Sequence, residues 1–226
     1  MSNNIGTLSV VATPIGNLGD ITYRAVQVLQ ACDYIVCEDT RVTGKLLTHY
    51  QITTPRKRYD AHTSDAVHEH ILADLALGKH VALVSDAGTP SISDPGVRLI
   101  ARARETDTLI EAIPGPSALT AALSIAGVPG NQFTFLGYVP HKKGRETFFT
   151  DALQYQHPVV FFESTHRIMK TVAALAASAS DRRVSLGREL TKLHEEMLTG
   201  TATELLVLLT DRPMKQKGEF VVILHK

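Results

Sequence analysis

The sequence predicts an α/β protein made of two successive units, an N-terminal parallel sheet with flanking helices and a C-terminal mixed sheet with helices. Three observations carry this. Short β-rich runs alternate with helical patterns as far as residue 113, the order expected of crossover units in a parallel sheet. A stiff Pro114-Gly115-Pro116 turn then interrupts the alternation. Beyond it, strand-like runs around Gly187, Glu195 and Phe220–Leu224 stand closer together, as antiparallel neighbours do. The expected units are residues 1–114 and 117–226.

Each element follows from local pattern. Leu8 to Ala12 is a short strand that runs into the loop Thr13-Pro14-Ile15-Gly16-Asn17-Leu18-Gly19-Asp20. Asp20 is the expected cap of a helix from Ile21 to Ala31, in which Ala25, Val28, Leu29 and Cys32 recur at helical spacing. Tyr34 to Cys37 is the second strand, and a helix follows Glu38-Asp39-Thr40-Arg41 as far as Tyr50. Arg56 to Tyr59 is a short third strand, and Ser64 caps a helix that Gly78 stops. His80 to Val84 is a fourth strand, Val97 to Thr106 a helix and Leu109 to Ile113 a fifth strand. Ser117 caps the next helix, to Ala126. In the second unit, strands are expected at 133–137, 159–162, 184–187, 195–199 and 220–224. Helices are expected at 146–153, 167–177 and 201–209.

Composition narrows the function classes. Lys plus Arg equals Asp plus Glu, 23 each, so any nucleic-acid partner must meet a local patch rather than bulk charge. Such patches exist at Arg56-Lys57-Arg58, at His141-Lys142-Lys143-Gly144-Arg145 and at Lys215 with Lys217. The second is the better candidate, because Pro140 and Gly144 mark a surface loop. Each could equally be an ordinary solvated loop. Cys32 and Cys37 are too few for a zinc site and read as buried thiols of a reducing, cytoplasmic compartment. No apolar run reaches the about 18 residues of a membrane span, and no secretory leader is expected.

The carboxyl ends of parallel strands are where such sheets bind ligands, and the loops starting at Thr13, Glu38, Ser85 and Pro114 lie there. None carries a GxGxxG or GxxxxGK[ST] phosphate motif, which disfavours a nucleotide-diphosphate cofactor. The loop SDAGTPSISDPG (85–96) is rich in backbone donors and acceptors and carries only two charges, Asp86 and Asp94. It suits a modest, partly cationic ligand held largely by main chain. Asp94 is expected to start the next helix, and Asp86 either to brace its loop or to face a ligand.

Six segments together resemble one family: VATPIGNLGD (11–20), EDTR (38–41), VSDAGTPSISDPG (84–96), IPGPSAL (113–119), FFESTHR (161–167) and RELTKLHEE (188–196). They are similar to the ribosomal RNA small subunit (cytidine-2′-O)-methyltransferases of the tetrapyrrole-methylase superfamily. The resemblance implies a two-domain tetrapyrrole-methylase-like fold, S-adenosylmethionine in the cleft between the domains, and a homodimer. It implies methyl transfer to a cytidine 2′-hydroxyl in the decoding region of small-subunit ribosomal RNA, as free RNA or the assembled particle. Carried over residue by residue, it puts Pro14, Asp86, Ala87, Gly88, Ser117 and Ala118 beside the cofactor, with Phe162, Glu163, Glu189 and Leu190 contributing from the second domain. Three departures stand out. Many members continue into a further small helical domain, Tyr59-Asp60-Ala61-His62-Thr63 replaces a His-Glu-His-Asn-like run, and FFES replaces FYES.

A ribose hydroxyl is a poor nucleophile at neutral pH and needs a nearby acceptor, whereas positioning should supply most of the remaining catalysis. The candidate catalytic residues are Glu38, Arg41, Glu189 and Lys192, with Asp39 and His194 in the same segments. Glu38–Arg41 and Glu189–Lys192 could instead be plain ion pairs. Two other functions stay open: a methyltransferase for a tetrapyrrole precursor, disfavoured because its usual GxGPGD loop is missing, and an inactive ribosome-binding module.

Overall fold

The computed structural model describes residues 5–92 and 96–226, and the chain divides into two compact units, Met1–Ser117 and Ala118–Lys226. The first holds β1 (Thr7–Val11), α1 (Tyr23–Ala31), β2 (Tyr34–Cys37), α2 (Thr40–His49), β3 (Arg56–Arg58), α3 (Asp65–Ala76), β4 (His80–Val84), α4 (Gly96–Ala103) and β5 (Leu109–Ile113). Its sheet is wholly parallel in the order β3-β2-β4-β1-β5. The chain steps toward one edge through β1, β2 and β3, then back across the sheet to β4 and β5. Right-handed crossovers running in opposite directions put their helices on opposite faces.

The cores agree. Ala25 and Leu29 of α1 and Leu47 of α2 pack with Ile35, Cys37, Ala82 and Val84. Ile71 and Leu75 of α3 and Leu99 and Ala103 of α4 pack with Tyr34, Val36, Val81 and Leu83. Both faces of β2 and β4 are buried, so these two strands read as near-continuous apolar runs. The neighbours β1 and β4 send the chain away toward opposite edges, the place where open α/β sheets form their ligand crevice.

The second unit holds α5 (Ala118–Ile125), β6 (Thr134–Tyr138), α6 (Arg145–Gln154), β7 (Val159–Glu163), α7 (Ile168–Ser178), β8 (Arg183–Arg188), β9 (Glu196–Thr201), α8 (Ala202–Asp211) and β10 (Phe220–Leu224). The order is β6-β7-β10-β8-β9, parallel only between β6 and β7. This is the mixed sheet expected. The last strand in sequence is the central one, and all of its residues are buried. One face packs on α6, α7 and α8 through Phe149, Val172, Leu175, Leu205 and Leu209. Thr201 and Glu204 form a reciprocal capping box at the start of α8.

Local expectations fare unevenly. Asp20 does not cap α1. It ends a short 3-10 turn, Leu18–Asp20, and the cap is Thr22, whose Oγ1 accepts the Ala25 N–H at 3.1 Å. Ser64 stands at the N-cap of α3 but makes no side-chain capping bond. Gly78 adopts φ +85°, as a helix stop requires. The expected role of Ser93-Asp94 falls outside the described residues.

Two histidines, buried His68 and half-buried His225, give the fold an acid-side weakness. His68 is packed against Tyr59, and its Nδ1 has no partner. Burial, then the charges of Arg98 and Arg102, hold its pKa below the usual imidazole value, and burial does the same to His225. In both the folded pKa lies below the unfolded one, so the unfolded chain binds more protons between the two values. Stability is complete above about pH 6.5 and falls as pH drops below it. The carboxylates with lowered pKa, such as Asp74 and Glu189, act in a separate window below about pH 4. Denaturant unfolding from pH 7.5 to 5 should therefore show a loss that His68→Leu reduces; an unchanged slope in that variant would rule out His68 as its source.

Candidate functional site

The loops leaving β1, β4 and β5 are laced together by short hydroxyl side chains and backbone bonds. Thr13 and Gly88 exchange both backbone hydrogen bonds, at 2.9 and 3.0 Å. Buried Thr13 also donates through Oγ1 to the Ser85 carbonyl at 3.2 Å. Ser85 Oγ reaches the Gly88 carbonyl at 3.3 Å, and Thr89 Oγ1 donates to the Pro116 carbonyl at 3.2 Å. Gly88 has φ +80°, and a Cβ there would stand 3.3 Å from Cγ2 of Ile15. The lacing leaves Asp86 and Ala87 exposed at the crest of their loop, with Pro14, Ser117 and Ala118 half-buried.

The next strand end is tied in by Asp86, whose Oδ1 accepts the Asp39 N–H at 3.0 Å. Asp86 thus acts as a brace, whatever else it does. Arg41 forks onto the Asp39 carboxylate through Nε and Nη2, the latter at 2.6 Å. That side-chain bond first, and the Arg41 backbone N–H second, hold the Asp39 carboxyl well below the usual carboxylate range. The partner seen for Arg41 is therefore Asp39, one residue from the expected Glu38. Glu38, Asp39 and Asp86 bring three carboxylates to these strand ends, with Arg41 and Arg56 as nearby guanidiniums.

In the second unit, Glu163 corrects a sequence expectation. Its side chain has no exposed surface and is enclosed by its own neighbours. Oε1 accepts the Ser164 N–H at 2.7 Å and pairs with Arg167 at 2.9 Å. Oε2 accepts from Thr171 at 2.6 Å and lies 3.7 Å from Arg145. It is a support rather than a ligand contact, because its carboxylate is spent on these groups. Leu190 is likewise buried, against Gly187. Phe162 is half-buried and edge-on to Phe135 and Tyr138, at centroid distances of 4.9 and 5.3 Å.

The RELTK segment is strained. Glu189 and Thr191 have φ +51° and +66°, a region costly for non-glycine and above all for β-branched residues. Arg188 holds the segment by donating to the carbonyls of Lys217, His194 and Met214. Glu189 Oε1 accepts from Lys192 at 3.0 Å and from the Glu219 N–H at 2.9 Å, and Lys192 also pairs with Glu219 at 2.8 Å. Burial pushes the Glu189 carboxyl up, but the Glu219 N–H and Lys192 outweigh it, and the pKa ends below the usual value.

All three basic clusters contain residues with intramolecular partners, Arg145 of the second among them. Arg56 donates to the Thr40 carbonyl, Lys57 sits 3.8 Å above the Tyr34 ring, and Arg58 pairs with Asp60 at 2.7 Å. Because β3 is an edge strand, these cations guard an open edge. Lys215 pairs with Glu196. Sequence reasoning missed Thr13, Ser85 and Thr89 as the lacing and Arg188 as the clamp. The hydroxyls lie inside the quoted motifs, so their position was visible but not their partners. Among the described residues no cluster of His, Cys, Asp or Glu could hold a metal ion, and no helix is long and apolar enough to cross a membrane.

Comparison with known proteins places the chain. The family model for tetrapyrrole (corrin/porphyrin) methylases matches residues 7–206. A relative from Xylella fastidiosa named ribosomal RNA small subunit methyltransferase I is 43% identical, with 97% of this chain and 81% of the relative covered. Relatives of the same name from Escherichia coli O157:H7 and Thermotoga maritima are 42% and 40% identical, covering 99% and 97% of this chain and 79% and 98% of their own. Two solved structures share the fold, a cobalt precorrin-4 methyltransferase (TM-score 0.69, 15% identity, covering 96% of this chain and 94% of that one) and a uroporphyrin-III-C-methyltransferase from Thermus thermophilus (TM-score 0.64, 18% identity, with the same coverage). The parallel sheet, the mixed sheet and the full-length relatives agree: the chain belongs to the tetrapyrrole methylases, in the ribosomal RNA small subunit methyltransferase I family.

Proposed function

We propose that this protein transfers the methyl group of S-adenosylmethionine to the 2′-hydroxyl of a cytidine in the decoding region of small-subunit ribosomal RNA, working as a cytoplasmic homodimer. The observation that carries the cofactor part is the laced, acceptor-rich crest at the ends of β1, β4 and β5 with Asp86 exposed upon it. The donor set suits a ligand with a sulfonium, an ammonium group and hydroxyls: carbonyl oxygens and carboxylates outnumber the cations there. The RNA part rests on relatives that are 40–45% identical over nearly the whole chain. The tetrapyrrole enzymes of known structure are only 14–19% identical and support fold alone.

When bound, the cofactor supplies a methyl carbon already activated by its sulfonium, so the protein's task is alignment and removal of one proton. Pro14, Asp86, Ala87, Gly88 and the adjoining Ser117 and Ala118 would hold the donor. Glu38 would accept a hydrogen bond from the ribose hydroxyl and take its proton, the methyl–sulfur bond breaking as the C–O bond forms. Arg41 and Lys192 orient flanking phosphates. Glu189 serves by placing Lys192, since a carboxylate with a lowered pKa is a weak base.

Calorimetry with S-adenosylmethionine, followed by label transfer to assembled small subunits, naked ribosomal RNA or a tetrapyrrole precursor, tests the reading. Label in the ribose of a single cytidine supports it; label in the tetrapyrrole, or no donor binding, refutes it. Asp86 separates two roles. Asp86→Asn keeps an acceptor for the Asp39 N–H and loses the charge, whereas Asp86→Ala loses both. Each should weaken donor binding by about tenfold or more if the charge meets the ligand. Full affinity in the asparagine variant would make Asp86 a brace only.

A further inference from the structure

Resting on the RNA reading, we propose that Glu163, Arg145 and Arg167 form a buried mount that presents the loop Pro140–Gly144 as an RNA-phosphate contact, with Lys142 and Lys143 as its working cations. The loop joins β6 to α6 and is held at both of its ends by the same carboxylate. At its start, Arg167 Nη1 donates to the Val139 carbonyl at 2.6 Å while its Nη2 pairs with Glu163 at 2.9 Å. At its finish, Arg145 Nη2 donates to Thr171 Oγ1 at 2.7 Å while its Nη1 faces Glu163 at 3.7 Å. Thr171 closes the circuit by donating to Glu163 at 2.6 Å. Arg145 also lies over the Phe149 ring, 5.1 Å from its centroid.

This overturns the simplest reading of the His-Lys-Lys-Gly-Arg run as one basic patch. Its arginine points inward, with a side chain only 13% exposed, while His141, Lys142 and Lys143 are exposed. Among the described residues neither lysine has an ion-pair partner, unlike the clusters at 56–58 and at Lys215. Their charge is thus left unneutralised by the fold. A flexible loop would lose much of its phosphate affinity to the cost of ordering, and a loop tied at both ends has met that cost in folding. An Arg fork reaches two acceptors at fixed geometry, which an ammonium on a flexible stem does not reproduce. Glu163, Arg145 and Arg167 are therefore positioning residues.

The test uses the intact protein, with wild-type methyl transfer to small subunits or their naked ribosomal RNA measured first. Lys142→Ala/Lys143→Ala should raise the RNA Kd by about tenfold near 0.1 M salt and lower the log–log salt slope by about 1.4 to 1.8, with S-adenosylmethionine affinity unchanged. Arg145→Lys, which conserves net charge, should raise the KM for RNA severalfold with kcat and the salt slope near wild type. Thermal unfolding of each variant separates this from loss of folded protein. A double variant that binds RNA like an active wild type overturns the phosphate contact, and an Arg145→Lys protein with unchanged KM overturns the mount. A wild type that methylates no RNA overturns the functional reading itself, and the inference with it.

Discussion

Glu163→Ala should lower the stability of the protein by roughly 3–5 kcal/mol. The substitution leaves Arg145 and Arg167, with side chains 13% and 15% exposed, without their shared counter-charge. Removing one partner of a buried pair is costly because the other charge remains desolvated. It also takes away the acceptors of the Ser164 N–H and the Thr171 hydroxyl. Glu163→Gln keeps a hydrogen-bonding group in place and should cost less, about 1–3 kcal/mol. Guanidinium unfolding of both variants checks the order. A loss below about 1 kcal/mol for the alanine variant would mean that water reaches and solvates the two guanidiniums.

Gly88→Ala should weaken S-adenosylmethionine binding by at least about tenfold while leaving the second unit folded. At φ +80° an L side chain is strained by about 1–2 kcal/mol, and the new Cβ meets Cγ2 of Ile15 at 3.3 Å. Either the pair of backbone bonds to Thr13 lengthens or Ile15 moves, and both shift the loop that carries Asp86. Gly127→Ala is the control: it has a similar φ, +67°, no atom within 4 Å of the new Cβ, and lies outside the loop. It should cost stability without changing donor affinity. Equal affinity losses in the two variants, or none in Gly88→Ala, would argue against placement of the donor on this loop.

Much of the architecture was legible because it is local. Tyr34–Cys37, His80–Val84, Leu109–Ile113 and Phe220–Leu224 are strands at the expected residues, since β-branched and apolar runs between turn residues have few other uses. The helix start at Thr22 was misplaced because Asp20 is an equally good capping residue by type. The choice was made by the Asn17-led turn, which uses up Asp20. The loop at 85–96 stood out from its glycines, prolines and position at a strand end. Its dependence on Thr13 and on the Pro116 carbonyl did not, because those partners are strands away.

The sequence by itself determined the two-unit α/β plan, the parallel-then-mixed sheets and the family. These depend on periodicity, turn residues and motif order, which lie along the chain. Only the tertiary structure decided what each charge does. Arg41 serves Asp39, Glu189 serves Lys192 and the Glu219 N–H, and Glu163 is sealed beneath two arginines. Within a run of cations at 141–145, the fold turns Arg145 inward and leaves Lys142 and Lys143 outside. The physical reason is that a charge's role is set by burial and by the nearest opposite charge. Glu163 lies 18 positions from Arg145 in sequence, from residue numbers 145 and 163, yet meets it across a strand and a helix.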